Sequence, residues 1–201
     1  MRLFVAVEVP EPPRREVRRR VDAIRDRLPR ARWVDPENAH LTLLFLGETA
    51  EADIPALAEK LREAFARCPP LDLRLASGGT FPPGRPARVA WIGVDAPDEL
   101  ETLQADITRA AVESLGFEPE DRPYHPHVTL ARCPDPWRRD AIDKFKTALT
   151  GPIGPPFVAD HGILFESKLS PKGARYRVVE TFPMAELTEM TEMTEMTEDE
   201  E

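Results

Sequence analysis

Cysteine is scarce in this chain. Its 201 residues hold two, Cys68 and Cys133, in no metal-like spacing. That excludes a disulfide framework and fits a reducing, cytoplasmic setting. No apolar run reaches 18 residues, so no helix is expected to cross a membrane. The opening MRLFVAVEVPEPP has too short an apolar part, and too much acid and proline, for a signal peptide, and it reads as a strand. Glycine-rich phosphate loops are missing as well. Gly78-Gly79 and Pro82-Pro83-Gly84 read as a loop able to border a cleft, without the pattern of a nucleotide loop. An excess of positive charge is also lacking. The formal net charge is −9, but the last 17 residues, AELTEMTEMTEMTEDEE, carry eight acidic groups and no basic one. Without them 28 acidic groups face 27 basic ones. A body so near neutrality does not coat long nucleic acid nonspecifically, although it can grip a phosphate locally. The tail, 185–201, is low in complexity and is expected to be disordered and without chemistry.

What is present is a repeat. Two strings read His-Xaa-Thr-Leu, at His40 and His127, 87 residues apart. The same offset relates MRLFVAVEV at Met1, ARVAWIGVD near Arg88 and ARYRVVETF near Arg175, all rich in β-branched and aromatic residues. Each half carries a helical pattern between its strand and its motif. At 12–29, Val17, Val21, Ile24 and Leu28 share a face; at 98–116, Leu100, Leu103, Ile107, Ala111 and Leu115 do, with Gly116 as C-cap. Further helices are predicted at 53–67 and about 136–149, and further strands at 71–81 and 157–167. The 22 prolines gather in the joints, 134–136 among them. The unit strand, helix, motif strand, helix, strand thus occurs twice. It predicts an α+β fold of two lobes related by a pseudo-twofold axis, with mainly antiparallel sheets flanked by helices and a site in the cleft between lobes.

On a strand, residues two apart share a face. His40 and Thr42 therefore point one way, with Leu41 and Leu43 buried behind them; His127 and Thr129 repeat this in front of Val128 and Leu130. Two imidazoles and two hydroxyls facing one another suit displacement at phosphorus. One neutral histidine takes a proton from water while the other, protonated, supplies the leaving oxygen. The hydroxyls donate to the non-bridging oxygens as charge grows there. That scheme requires no metal and no cofactor. The bland reading is that duplication copied a packing histidine.

Four landmarks carry a family resemblance: RLFVAVEVP at the start, HLTLLFLGE at 40–48, RPYHPHVTLAR at 122–132 and LFESKLSPKGARYRVVETF at 164–182. In these the chain resembles the two-histidine (2H) phosphoesterases, in the branch of RNA 2′,3′-cyclic phosphodiesterases also called 2′-5′ RNA ligases. The resemblance spans 1–184 as a single bilobal domain and leaves the tail outside it. It implies hydrolysis of RNA ends bearing a 2′,3′-cyclic phosphate, tRNA fragments among them, to 2′-phosphomonoesters, and a reverse 2′-5′ joining reaction. His40 matches the proton donor, His127 the proton acceptor, and Thr42 and Thr129 the phosphate-binding hydroxyls. The internal twofold makes a monomer the default.

The neighbours are less determined. Arg132 is read as a substrate-phosphate contact that needs a strand bend, because its odd offset from His127 points it the other way in an ideal strand. Phe45, odd from His40, reads as core. Tyr124 is a candidate to stack on a terminal base. Trp33 is another, with packing favoured. His125 shares a face with His127, but a zinc site needs further ligands, and His161 with two unpaired cysteines matches no pattern. The repeat sets Asn38, not a histidine, against His125, which then only shapes the cleft edge. Rival readings are a phosphodiesterase for a small cyclic nucleotide or cyclic ADP-ribose phosphate, and a noncatalytic nucleotide- or RNA-binding module.

Overall fold

The computed structural model describes residues 1–83, 86–170 and 173–185. The acidic tail beyond Ala185 and Gly84 of the proposed cleft loop lie outside the described residues. In chain order the elements are β1 (Arg2–Glu8), α1 (Glu11–Asp22), β2 (Arg32–Trp33), β3 (His40–Glu48), α2 (Ile54–Ala66), β4 (Leu71–Phe81), β5 (Ala87–Asp95), α3 (Glu99–Leu115), β6 (His127–Trp137), α4 (Arg139–Ala148), β7 (Phe157–Ala159), β8 (His161–Ser170) and β9 (Gly173–Pro183). The α+β expectation holds, with antiparallel pairing in every ladder among the described residues.

Local chemistry explains most boundaries. α3 stops at Gly116, whose φ of 63° is the left-handed turn that glycine enters at no steric cost. α1 is shorter than the pattern at 12–29. It ends at Asp22, a 3₁₀ turn follows at Arg25–Arg27, and Leu28 is extended as the residue before Pro29 must be. Strand β6 runs through Pro134 and Pro136, where a joint was expected. The ladder to β5 skips there, from Val89↔Arg132 to Ala87↔Trp137, so the prolines sit where no ladder bond is needed. Gly78 and Gly79 lie inside β4, not in a loop.

The strand order is β7-β4-β5-β6-β3-β1-β8-β9, with β2 added to β6. The lobes are not the sequence repeats. β4, which closes the first repeat, pairs with β5 of the second; β8, which closes the second, returns to pair with β1. The helices cross too. Val17 of α1 faces Leu75, Ile92 and Val128, and Gln104 of α3 donates to the Leu43 carbonyl of β3 at 3.3 Å. Each lobe is thus completed by the other repeat. The two half-sheets meet at one pairing, Leu41↔Val128. Helices cover the outer face over a large core that includes Leu41, Leu43, Val128 and Trp137. The opposite, concave face of the first lobe carries a second small cluster, Phe4, Ala6, Ile163 and Phe165, with Tyr176 against it.

Candidate functional site

The seam between half-sheets brings the two motifs together. Leu41 and Val128 pair with their side chains in the core, so the residues on either side of each face the concave surface. Extending that register by one residue sets His40 across from Thr129 and Thr42 across from His127. The histidines are then diagonal neighbours, roughly 7–8 Å apart at the backbone, which leaves room for a tetrahedral group between their rings. All four side chains are half-buried.

Each ring is oriented in the same way. His40 Nδ1–H donates to the Asn38 carbonyl at 2.7 Å, and His127 Nδ1–H donates to the His125 carbonyl at 2.6 Å. A carbonyl can only accept, so the hydrogen bond fixes the proton on Nδ1 and leaves Nε2 to face the cleft. Asn38 and His125 are 87 residues apart, so the repeat carries this support as well as the rings. Enclosure lowers both imidazoles below the ordinary value of 6.5. The carbonyl bond opposes this in each case. The charge of His127 adds to the lowering at His40, and that of His125 adds to it at His127.

Aromatic walls supply the enclosure. His40 lies against Phe4 at 4.9 Å and edge-on to Tyr176 at 5.2 Å. His127 stands edge-on to Phe81 at 5.1 Å and lies 5.9 Å from Trp91. None of these four was singled out from the sequence. Phe4 and Trp91 do carry a signal there, being 87 residues apart on equivalent strands and aromatic in both. Phe81 and Tyr176 have no such signal. Gly79 belongs to the same wall, because a Cβ there would meet the Trp91 indole at 2.2 Å.

A pair of bulges settles the odd offsets. On β3 the register to β1 passes from Val5↔Leu44 to Ala6↔Thr42, so Leu43 and Leu44 both turn to the core. On β6 the register to β5 passes from Ala90↔Ala131 to Trp91↔Thr129, and Leu130 and Ala131 both turn inward. The extra residue reverses the alternation beyond it. Phe45 is therefore not core: it is 45% exposed and stacked on Phe4 at 5.5 Å, on the face of His40. Arg132 is likewise brought to the face of His127, in one row with Val89 and Phe81. Its charge and that of Arg2 act on the Tyr176 hydroxyl, whose pKa burial nonetheless raises.

The remaining candidates fall away from the histidines' ring faces. Tyr124 rests against the main core and its hydroxyl donates to the Thr42 carbonyl at 3.0 Å, across the seam. Trp33 packs toward Trp137, 6.1 Å away, with Arg25 over its ring. His125 is exposed and edge-on to Trp91 at 4.7 Å. His161 is bonded to Asp160 at 2.5 Å. Among the described residues no three His, Cys, Asp or Glu side chains gather as metal ligands, and no helix is long and apolar enough to cross a membrane. Cys68 and Cys133 are buried and unbridged.

The family model of the 2′-5′ RNA ligase superfamily matches residues 12–154. The chain belongs to that superfamily. Among relatives in it, the RNA 2′,3′-cyclic phosphodiesterase of Archaeoglobus fulgidus is 35% identical over 185 residues, covering 90% of this chain and 99% of its own. The enzyme of the same name from Methanothermobacter thermautotrophicus is 32% identical over 183 residues, covering 90% and 98%. In three dimensions, the superfamily fold is shared with a Thermus thermophilus protein at a TM-score of 0.76 and 30% identity, covering 92% of this chain and 98% of that one. Escherichia coli LigT complexed with 3′-AMP superposes at a TM-score of 0.72 with 27% identity and the same coverage.

Proposed function

We propose that this chain is an RNA 2′,3′-cyclic phosphodiesterase that acts by paired histidines. The observation that carries the reading is the equivalent setting of the two imidazoles, each held through Nδ1 by the carbonyl two residues before it. His127 Nε2 accepts a proton from water as its oxygen attacks phosphorus. The bond from phosphorus to the ribose O3′ breaks, and His40 Nε2–H protonates that oxygen, leaving a 2′-phosphomonoester. Thr42 and Thr129 donate to the non-bridging oxygens, and Arg132 adds positive charge at the edge. With the 5′ hydroxyl of a second RNA end in place of water, the same steps would form its bond to phosphorus, break the bond to O3′ and leave a 2′-5′ phosphodiester, the ligase reaction of the superfamily's name. Support comes from the names of the relatives and from LigT having been crystallised with a 3′-nucleotide. Residues 1–184 act as one unit and as a monomer, because one chain supplies both histidines, and the unbridged thiols suit the cytoplasm. RNA ends with a cyclic phosphate, such as tRNA fragments, are the substrates.

The test is a short RNA ending in a 2′,3′-cyclic phosphate, with the product phosphate located by its nuclease and phosphatase sensitivity. Turnover to a 2′-phosphate that persists in EDTA is expected. Exclusive formation of a 3′-phosphate would reverse the donor and acceptor roles, and loss of turnover in EDTA would remove the metal-free mechanism. His40→Ala and His127→Ala are each expected to lower kcat by about 10²–10⁴-fold with melting temperature preserved.

A further inference from the structure

The two histidine rings are held alike, but the carbonyls that hold them are not. His40 is fixed by the Asn38 carbonyl at 2.7 Å, and Asn38 ends the 3₁₀ turn Pro36–Asn38. Arg14 of α1 grips that turn from the core side of the sheet. Its Nη1 donates to the Glu37 carbonyl at 3.1 Å, and its Nη2 lies 3.3 Å from the Glu37 carboxylate. Arg18, one helical turn on, meets the same carboxylate at 2.9 Å. Three successive carbonyls are thus occupied: Glu37 by the guanidinium, Asn38 by the imidazole and Ala39 by the Val9 amide at 3.2 Å. The second repeat has no such clamp among the described residues. The position 87 residues after Arg14 is Glu101, and the carbonyl equivalent to that of Glu37 belongs to Tyr124. Tyr124 is tied through its hydroxyl instead, to the Thr42 carbonyl.

Stability does not account for Arg14. Its side chain is 18% exposed, and its Nε is buried without a hydrogen-bond partner among the described residues. The space beside it is apolar, lined by Val17, Leu75, Ile92, Val128 and Leu130. An orphaned buried donor opposes folding, and an ion pair to a carboxylate as open to water as that of Glu37 offsets little of this. A methionine would fill the same space without an orphaned donor. What the guanidinium does that a methionine cannot is anchor the peptide next to the one that orients His40. Swinging the Asn38 carbonyl away from Nδ1 changes the torsions on both sides of its peptide, so fixed neighbouring planes resist it. The plane after it is held by the Val9 amide. The plane before it is held at its carbonyl by Arg14 and at its amide by the Asp35 carbonyl.

We propose that Arg14 is a positioning residue for the reaction: by holding the Glu37 carbonyl it locks the turn whose next carbonyl, that of Asn38, keeps His40 in one orientation with Nε2 free for proton transfer. The proposal rests on the paired-histidine reading above. A neutral imidazole without such an acceptor distributes its proton over both ring nitrogens, and its ring is free to turn. The clamp therefore matters most after His40 has given its proton, when only the Nδ1–H tautomer leaves Nε2 ready to be recharged. Arg14 lies among core residues and touches no substrate, so its effect belongs to the proton-transfer step rather than to binding.

Arg14→Met, which keeps the packing and removes the donors, tests this beside Arg14→Lys, which retains a charged donor. On a short RNA ending in a 2′,3′-cyclic phosphate, Arg14→Met is expected to lower kcat about fivefold to tenfold with KM within about twofold of wild type. Arg14→Lys should recover part of that loss, and melting temperature should hold in both. The second readout is the nitrogen NMR of the neutral imidazoles, assigned with His40→Ala and His127→Ala. In wild type both rings should carry the proton on Nδ1. In Arg14→Met the His40 proton should be shared with Nε2 while His127 is unchanged. Wild-type kcat in Arg14→Met overturns the proposal. So does a fall in kcat with the His40 tautomer intact, which leaves Arg14 a packing residue, or an equal change at both rings, which marks a general loosening. Should the wild type turn over no cyclic phosphate, the hydrolase reading fails, and the His40 tautomer in Arg14→Met decides the clamp by itself.

Discussion

His40 and His127 spend Nδ1 on backbone carbonyls, which leaves one nitrogen each for chemistry and gives their pH dependence a definite sign. Burial lowers both from 6.5. A base must be neutral and so works above its pKa, whereas an acid must be charged and works below its own. With both values lowered, the population holding one proton between the two peaks below pH 6.5 in the free enzyme. The bell of kcat/KM should therefore have its maximum there. A bound phosphodiester anion favours the charged donor, so kcat should peak at higher pH than kcat/KM. A kcat/KM maximum above about pH 7 would contradict the lowering. Tyr124 acts at the same scale. Its buried hydroxyl, with its pKa raised, is a fixed donor to the Thr42 carbonyl. Tyr124→Phe should cost about 1 kcal/mol of stability and lower kcat several-fold with little change in KM, because the Thr42 backbone loses its tether. Lowered stability with kcat intact would reduce Tyr124 to a fold contact.

At the scale of elements, the bulges in β3 and β6 do what an ideal strand does not. By placing Leu43 with Leu44, and Leu130 with Ala131, on the core side, they turn Phe45 and Arg132 to the concave face. Strand β4 contributes through an absence of side chain. Gly79 lets the Trp91 indole lie flat on β4 as a wall for His127, with the indole Nε1 buried and without a partner among the described residues. Gly79→Ala should displace that ring, cost about 1–3 kcal/mol and lower turnover. Melting curves and the tryptophan emission maximum would register it, and wild-type values in both would show that β4 yields instead.

At the scale of the molecule, the crossing of β4, β8, α1 and α3 between repeats couples the lobes. All three tryptophans, Trp33, Trp91 and Trp137, belong to the half built on β4, β5 and β6. Fluorescence therefore reports one half, while circular dichroism reports both. The two denaturation midpoints should coincide, because neither half has its full sheet without the other repeat. Separate midpoints would mean that the halves unfold independently. That coupling also holds the histidines in register, since the half-sheets meet at the single pairing of Leu41 with Val128.

The repeat of 87 residues and the period of two on each motif strand were enough to match His40 with His127 rather than with His125, and the structure sets those two diagonally across the seam with equivalent carbonyl partners. Both are local or translational properties of a string, and they survive any folding detail. The same offset held further information, linking Asn38 to His125, Phe4 to Trp91 and Phe45 to Arg132. Three things depended on the tertiary structure. An ideal alternation places Phe45 and Arg132 wrongly, because a bulge is set by the neighbouring strand's register rather than by the residues that form it. Tyr176 and Phe81 reach the histidines only because the sheet curls. Arg32 stands opposite Arg132, 100 residues away, only in the folded sheet, because nothing in a linear chain records which like charges folding will bring together.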